Sequence, residues 1–204
     1  MFLSRRPSAN YIRDFLSASR SLPLSYTPIG IAQQSPSDFT IDEACQGLGV
    51  GMEVFECAKK ALLQWRQFEL GWVELFPPDA LIETGTVVAV LVNHFGFWSI
   101  NGCRVVYGIG DGDSASQFGF AYGTLTNHAE CGEEIFEVSI DAASLEVTYR
   151  IRAASKPRAA LARIGYPFAR ALQARFRRDS LAAMQREVIS GSVNLPDNSQ
   201  SVLH

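Results

Sequence analysis

The chain has 204 residues, of which 47% are hydrophobic and 19% charged, and its formal net charge is −3. So apolar a chain cannot stay a solvated coil, and its length suits one domain with a sizeable core. Cys45, Cys57, Cys103 and Cys131 include no C-x-x-C pair to seed a zinc or redox site, so they are expected as buried thiols.

The opening Met1-Phe2-Leu3-Ser4-Arg5-Arg6 passes directly into charge and leaves no hydrophobic stretch for secretion. The longest apolar run, residues 87–92, falls far short of the ~20 needed to cross a bilayer. A cytoplasmic, reducing setting is therefore expected.

Residues 8–20 start with an N-cap candidate, Ser8, and carry Tyr11, Ile12, Phe15 and Leu16 at helical spacing before Leu22-Pro23 ends the pattern. The Ser-, Pro- and Gln-rich residues 21–39 read as an ordered arm. Residues 41–48 read as a strand closed by Gly49-Val50-Gly51. Phe55, Ala58, Ala61, Leu62 and Trp65 then mark a helix over 52–65. Six strand-like runs follow, at 68–76, 86–94, 98–107, 117–125, 133–140 and 145–153, and most connections are too short for crossover helices. Neighbours should therefore pair antiparallel.

The last element is helical. Leu161, Ile164, Phe168, Leu172, Phe176, Ser180, Met184 and Val188 form one mostly apolar stripe, and Pro167 suits a helical first turn. From there to Val188 the helix would span about 33 Å at 1.5 Å per residue. Residues 156–188 carry a formal charge of +6 against −9 on the rest, and Arg163, Arg170 and Arg177 recur on a second face. That face is expected to be a solvated surface, with neither nucleic acid nor membrane as partner.

This order predicts an α+β fold in which a curved antiparallel sheet of about six to seven strands wraps a long C-terminal helix. The expected division is an N-terminal helix and arm over 1–39, the main domain over 40–188, and a flexible polar tail over 189–204.

Strand parity locates candidate chemistry, because alternate side chains share a face. Leu145, Val147, Tyr149 and Ile151 form one apolar set, and Phe136, Val138 and Ile140 another, which puts Glu134 on an inward face. Phe118, Phe120, Tyr122 and Thr124 share a face, and His128 joins them if the strand stays extended. A carboxylate facing a core needs a partner, a ligand or water. Glu134 therefore either bonds backbone amides or Arg104 in an architectural role, or belongs to a site with Tyr122, Thr124 and His128.

Other patterns are weaker. Gly108-Ile109-Gly110-Asp111-Gly112 lacks the lysine and following helix of a phosphate loop and reads as a hairpin turn. His94, His128 and His204 lack metal-ligand spacing, so neither a metal nor a cofactor is expected. Cys103 beside Arg104 reads as a structural thiol, and Trp65, Trp72 and Trp98 as core.

Phe118-Gly119-Phe120-Ala121-Tyr122-Gly123-Thr124-Leu125, with His128 and Gly132-Glu133-Glu134-Ile135-Phe136, resembles the plant and bacterial family catalogued as UPF 0548. Trp98-Ser99-Ile100-Asn101, Cys103 to Tyr107, Ser155-Lys156-Pro157, and Gly165-Tyr166-Pro167 with Arg170, Gln173, Arg175-Phe176 and Asp179-Ser180 agree, as do Arg6-Pro7-Ser8 and Tyr26 to Gly30. The resemblance implies a helix-grip fold like that of the START and birch-pollen-allergen superfamily, whose members hold apolar ligands between sheet and helix. It brings no catalytic residues with it.

Two functions from different classes follow, and both stay open. One is a non-enzymatic binder of a small apolar or amphipathic molecule, in a cavity lined by Phe118, Phe120, Phe136, Tyr149, Phe168 and Leu172. The other is a cyclase- or hydrolase-like enzyme using that cavity, with Glu134 or His128 as general base and Tyr122 donating to an oxyanion. A third reading makes the basic helix an interaction surface.

Overall fold

The structure is a computed structural model that describes residues 2–110, 116–157 and 166–193. The elements, in chain order, are β1 (Phe2–Leu3), α1 (Ala9–Ser19), α2 (Ile31–Gln34), β2 (Thr40–Val50), α3 (Met52–Leu63), β3 (Val73–Phe76), β4 (Val87–His94), β5 (Phe97–Ile109), β6 (Gln117–Thr124), β7 (Glu130–Ile140), β8 (Glu146–Pro157) and α4 (Tyr166–Val193). The sheet runs β2-β8-β7-β6-β5-β4-β3 with every neighbour antiparallel, and β1 pairs with β5. Its concave face receives α3 and α4, which is the helix-grip arrangement expected.

Alternation decides what each face carries. Phe120, Tyr122, Phe136, Val138, Val147, Tyr149 and Ile151 point to the concave face and join Phe55, Ala58, Leu62 and Trp65 of the α3 region and Met184 and Val188 of α4 in the main core. The convex face carries Ala121, Cys131, Ile135 and Ala154, covered by Tyr26, Ile31 and Ala32 of the arm. Ser8 caps α1 by accepting from the Tyr11 amide, and Ile12 packs on Ala89, Leu91 and Ile100.

Two predicted elements need correction. The run at 68–76 is a strand only from Val73. Before it, Trp65 adopts φ 57° and Arg66–Phe68 form a 3-10 turn that drives the Phe68 ring into the core, 5.5 Å from Phe136 and 5.2 Å from Phe176. Leu145 does not extend the apolar set of β8. Its φ of 57° belongs to the turn, it is exposed, and its carbonyl accepts from the Gly51 amide.

The C-terminal helix reaches Val193, five residues beyond the predicted end, so the expected tail begins later than 189, and residues 194–204 lie outside the described residues. So do Leu161, Arg163, Ile164 and the centre of the predicted hairpin turn at 111–115. The stripe on α4 divides in two. Ser180, Met184 and Val188 are buried, whereas Leu172 and Phe176 are only partly so and Phe168 is 39% exposed. The one hydroxyl in the buried half is matched, since Ser180 Oγ lies 3.1 Å from the Tyr149 hydroxyl.

The expected solvated basic face is also corrected. Arg170 and Arg177 are drawn onto Asp42 of β2. Arg170 Nη2 donates to Asp42 Oδ1 at 2.6 Å, its Nη1 bonds the other oxygen, and Arg177 Nη2 lies 3.1 Å from Oδ1. These pairs hold the carboxyl of Asp42 below its usual range, against the opposing effect of burial. Cysteine burial is mixed: Cys103 and Cys131 are buried, Cys57 is half-buried and Cys45 is exposed on β2.

Candidate functional site

The half of α4 that does not close onto the sheet leaves a cavity of about 620 Å³. Apolar walls come from Phe68, Trp72 and Val73, from Val90 and Val92 of β4, and from Phe168, Leu172 and Phe176 of α4. The polar lining includes Tyr122, Glu134, Glu130, Ser155, Gln173 and Arg177, with Thr124, His128, Ser99 and Asn101 nearby.

Each polar group is held by the fold. Tyr122 and Glu134 are directly paired in the β6–β7 register, and the Tyr122 hydroxyl donates to Glu134 Oε2 at 2.9 Å. Gln173 of α4 donates to Glu130 Oε2 at 2.8 Å and to Ser155 Oγ at 3.2 Å, and accepts from Arg170 Nη1 at 2.9 Å. One continuous chain thus runs from Asp42 through Arg170 and Gln173 to the cavity wall. His128 Nδ1 accepts from the Glu130 amide at 2.9 Å. Thr124 Oγ1 donates to the Gly132 carbonyl at 3.1 Å and accepts from its amide at 2.9 Å, which makes Thr124 a clamp across the β6–β7 turn.

Burial pushes the Glu134 carboxyl up to about 7. The Tyr122 hydrogen bond and the charge of Arg177 work against that rise, while Glu130 and Asp42 add to it. Burial likewise raises Glu130, opposed by the Gln173 hydrogen bond and the charge of Arg170. A group near neutrality can hold or release a proton at ordinary pH, which is the property a general acid–base residue needs.

The family described as a domain of unknown function (DUF1990) matches residues 25–183. A UPF0548 protein of Dictyostelium discoideum is 32% identical over 208 residues, spanning 92% of this chain and 96% of that protein. The chain belongs to the UPF0548 family. A second UPF0548 protein, from Arabidopsis thaliana, is 34% identical over 153 residues, or 74% of each chain. A protein from Thermus thermophilus of known crystal structure shares the fold with a TM-score of 0.52 at 11% identity, over 75% of this chain and 99% of that one.

Of the site residues predicted for this UPF0548 chain, Tyr122, Thr124, His128, Glu134, Phe168 and Leu172 line the cavity together. Phe120, Phe136 and Tyr149 sit on the same face but are fully buried in the main core, where the Phe120 ring stacks edge-on to Trp65 at 4.8 Å and the Tyr149 hydroxyl meets Ser180 of α4. Phe118 lies further along, beneath the Lys59 ammonium. Parity identifies the face but not how much of it a helix covers. Glu134 does not meet Arg104, whose guanidinium donates to the Arg20 and Leu22 carbonyls. The Cys103 thiol is pushed up by burial and is structural.

The buried acid with the architectural role is Glu133, on the convex face. It is 2% exposed and accepts from the Tyr26 hydroxyl at 2.7 Å, the Tyr107 hydroxyl at 2.8 Å, and the Gly30 and Ala32 amides at 2.8 and 3.2 Å. Gly123 allows this, because any Cβ there would collide with the Tyr26 ring. Sequence reasoning also missed Glu130, Gln173, Arg177 and Phe176 as lining groups. Extending the strand back to Glu130 would have shown it on the Glu134 face, since positions four apart share parity.

A raised carboxyl makes a testable contribution to stability. Glu134 binds its proton more tightly folded than unfolded, so its contribution is fully present below the unfolded carboxylate range and is lost as pH rises through about 7. Glu134→Gln should therefore change stability little near pH 4 and increase it by about 1–3 kcal/mol near pH 8. Denaturant titrations at both pH values check this, and equal effects at the two would contradict the burial of Glu134. Tyr122, Glu130, Asp42 and Arg177 are the charged or titratable groups that set the size of the effect.

Proposed function

We propose that this protein is a non-enzymatic binder of a small amphipathic molecule, held between the sheet and the first half of α4. The observation that carries the reading is one cavity of about 620 Å³ with aromatic and aliphatic walls and a hydrogen-bonded polar patch. Volumes of roughly 300–1,000 Å³ with a few convergent polar groups suit small-molecule recognition. Tyr122, Glu134, Gln173 and His128 orient the polar part of the ligand, and Phe68, Trp72, Phe168, Leu172 and Phe176 enclose its apolar part. We place the protein in the cytoplasm, where its four free cysteines stay reduced. Among the described residues no helix is long and apolar enough to cross a membrane.

Titration with the neutral fluorophore 1-aminoanthracene tests the reading. Saturable binding of one molecule per chain is expected. It should be lost in Ala153→Phe and Leu172→Trp, two substitutions that fill the cavity from opposite walls. Absence of saturable binding, or binding that both variants retain with native circular dichroism, would overturn it.

A second reading has a specific observation behind it. Glu134, near neutrality and 2.9 Å from the Tyr122 hydroxyl, is equipped for proton transfer on a bound substrate. His128 lines the same cavity. The interaction-surface reading loses support, because Arg170 and Arg177 are engaged with Asp42.

A further inference from the structure

Resting on that binding reading, we infer that the ligand is an amphipathic ammonium, an apolar body carrying one protonated amine that lies against Glu134. The charges at the polar patch do not balance. Asp42, Glu130 and Glu134 supply three carboxylates, and Arg170 and Arg177 two guanidiniums. Both guanidiniums pair directly with one acid, Asp42, which receives Arg170 on both oxygens and Arg177 on Oδ1.

The hydrogen bonds reaching the two cavity carboxylates come from neutral donors instead. Glu134 receives the Tyr122 phenol at 2.9 Å, and Glu130 receives the Gln173 amide at 2.8 Å. Arg177 and Arg170 act on them by charge through space. Once Glu134 is ionised, above about pH 7, one negative charge is left facing a cavity with apolar walls. A ligand cation would complete the balance, whereas a ligand carboxylate would worsen it.

The surroundings favour a cation on a second ground. The Tyr122 ring beside Glu134 lies 6.1 Å from Phe68, and Phe68 lies 5.2 Å from Phe176. Both phenylalanines line the same cavity as the acid. Aromatic faces attract ammonium groups, and most strongly where water is excluded. An amine against Glu134 would share the cavity with the Phe68 and Phe176 rings, with its apolar body running towards Val90, Val92 and Leu172.

Isothermal titration with dodecylammonium, dodecanol and dodecanoate at about pH 8, where Glu134 is ionised, each below its micellar or solubility limit, tests the inference. The ammonium should bind roughly tenfold or more tighter than dodecanol, with dodecanoate weakest. Glu134→Gln should bring the ammonium to within about threefold of dodecanol and leave dodecanol unchanged. Glu130→Gln, which removes a charge further along β7, should lower the preference less and serves as the second variant. Ala153→Phe should remove all binding, which separates cavity occupancy from attraction to the protein surface. Dodecanol or dodecanoate binding as tightly as the ammonium would overturn the inference and leave the binding reading standing. So would an ammonium preference that survives both Gln variants. Failure of all three probes together with 1-aminoanthracene would overturn the binding reading itself.

Discussion

Glu133→Ala is expected to destabilise the fold by about 3–5 kcal/mol, because several donors lose the one acceptor they share. The carboxylate is 2% exposed and collects two phenol hydroxyls and two backbone amides. Its loss leaves four donors without their acceptor, each costing about 1–3 kcal/mol if water cannot reach it. Tyr26, Gly30 and Ala32 all belong to the arm, so the damage should be local at first. Proteolysis within residues 21–39 should accelerate before global unfolding. A denaturant midpoint shifted by less than about 1 kcal/mol, with the arm still protected, would show that Glu133 does not tie the arm to the sheet.

Phe136→Ala should cost a similar amount, about 3–5 kcal/mol, through lost burial and the void left behind. The ring is 0% exposed and lies 5.3 Å from Tyr122, 5.4 Å from Phe120 and 5.5 Å from Phe68. These neighbours include the base of the cavity, so ligand affinity should fall along with stability. Chemical denaturation with an unchanged m-value would report the stability change cleanly. A loss below about 1 kcal/mol would mean that the aromatic cluster repacks around the gap.

The sequence made the fold legible because its strongest signals are local. Period-two alternation placed Phe136, Val138 and Glu134 on the concave face, and the helical stripe through Ser180, Met184 and Val188 marked the buried side of α4. Failures came where one backbone residue departs from its element. Trp65, at positive φ after the predicted helix, leads into the turn that replaces the first part of the predicted strand at 68–76, and Leu145, also at positive φ, is itself a turn residue. The electrostatics of the site were not legible, because Arg170 and Asp42 lie 128 positions apart and Gln173 and Glu130 lie 43 apart. No periodicity encodes such pairs. The choice between Glu133 and Glu134 shows the same limit. Parity separates the two faces, but the phenols and amides that make Glu133 architectural come from an arm that the strand pattern does not position.

The central claim is that the space between the sheet and the first half of α4 holds a small amphipathic molecule. Native mass spectrometry of the protein purified without detergent tests it most directly. The expected result is a complex of one chain with one small molecule that is released on denaturation, is absent from Ala153→Phe, and carries an ionisable nitrogen on an apolar body. The bare mass of the chain under gentle ionisation, unchanged after incubation with dodecylammonium, dodecanol and dodecanoate, would contradict it.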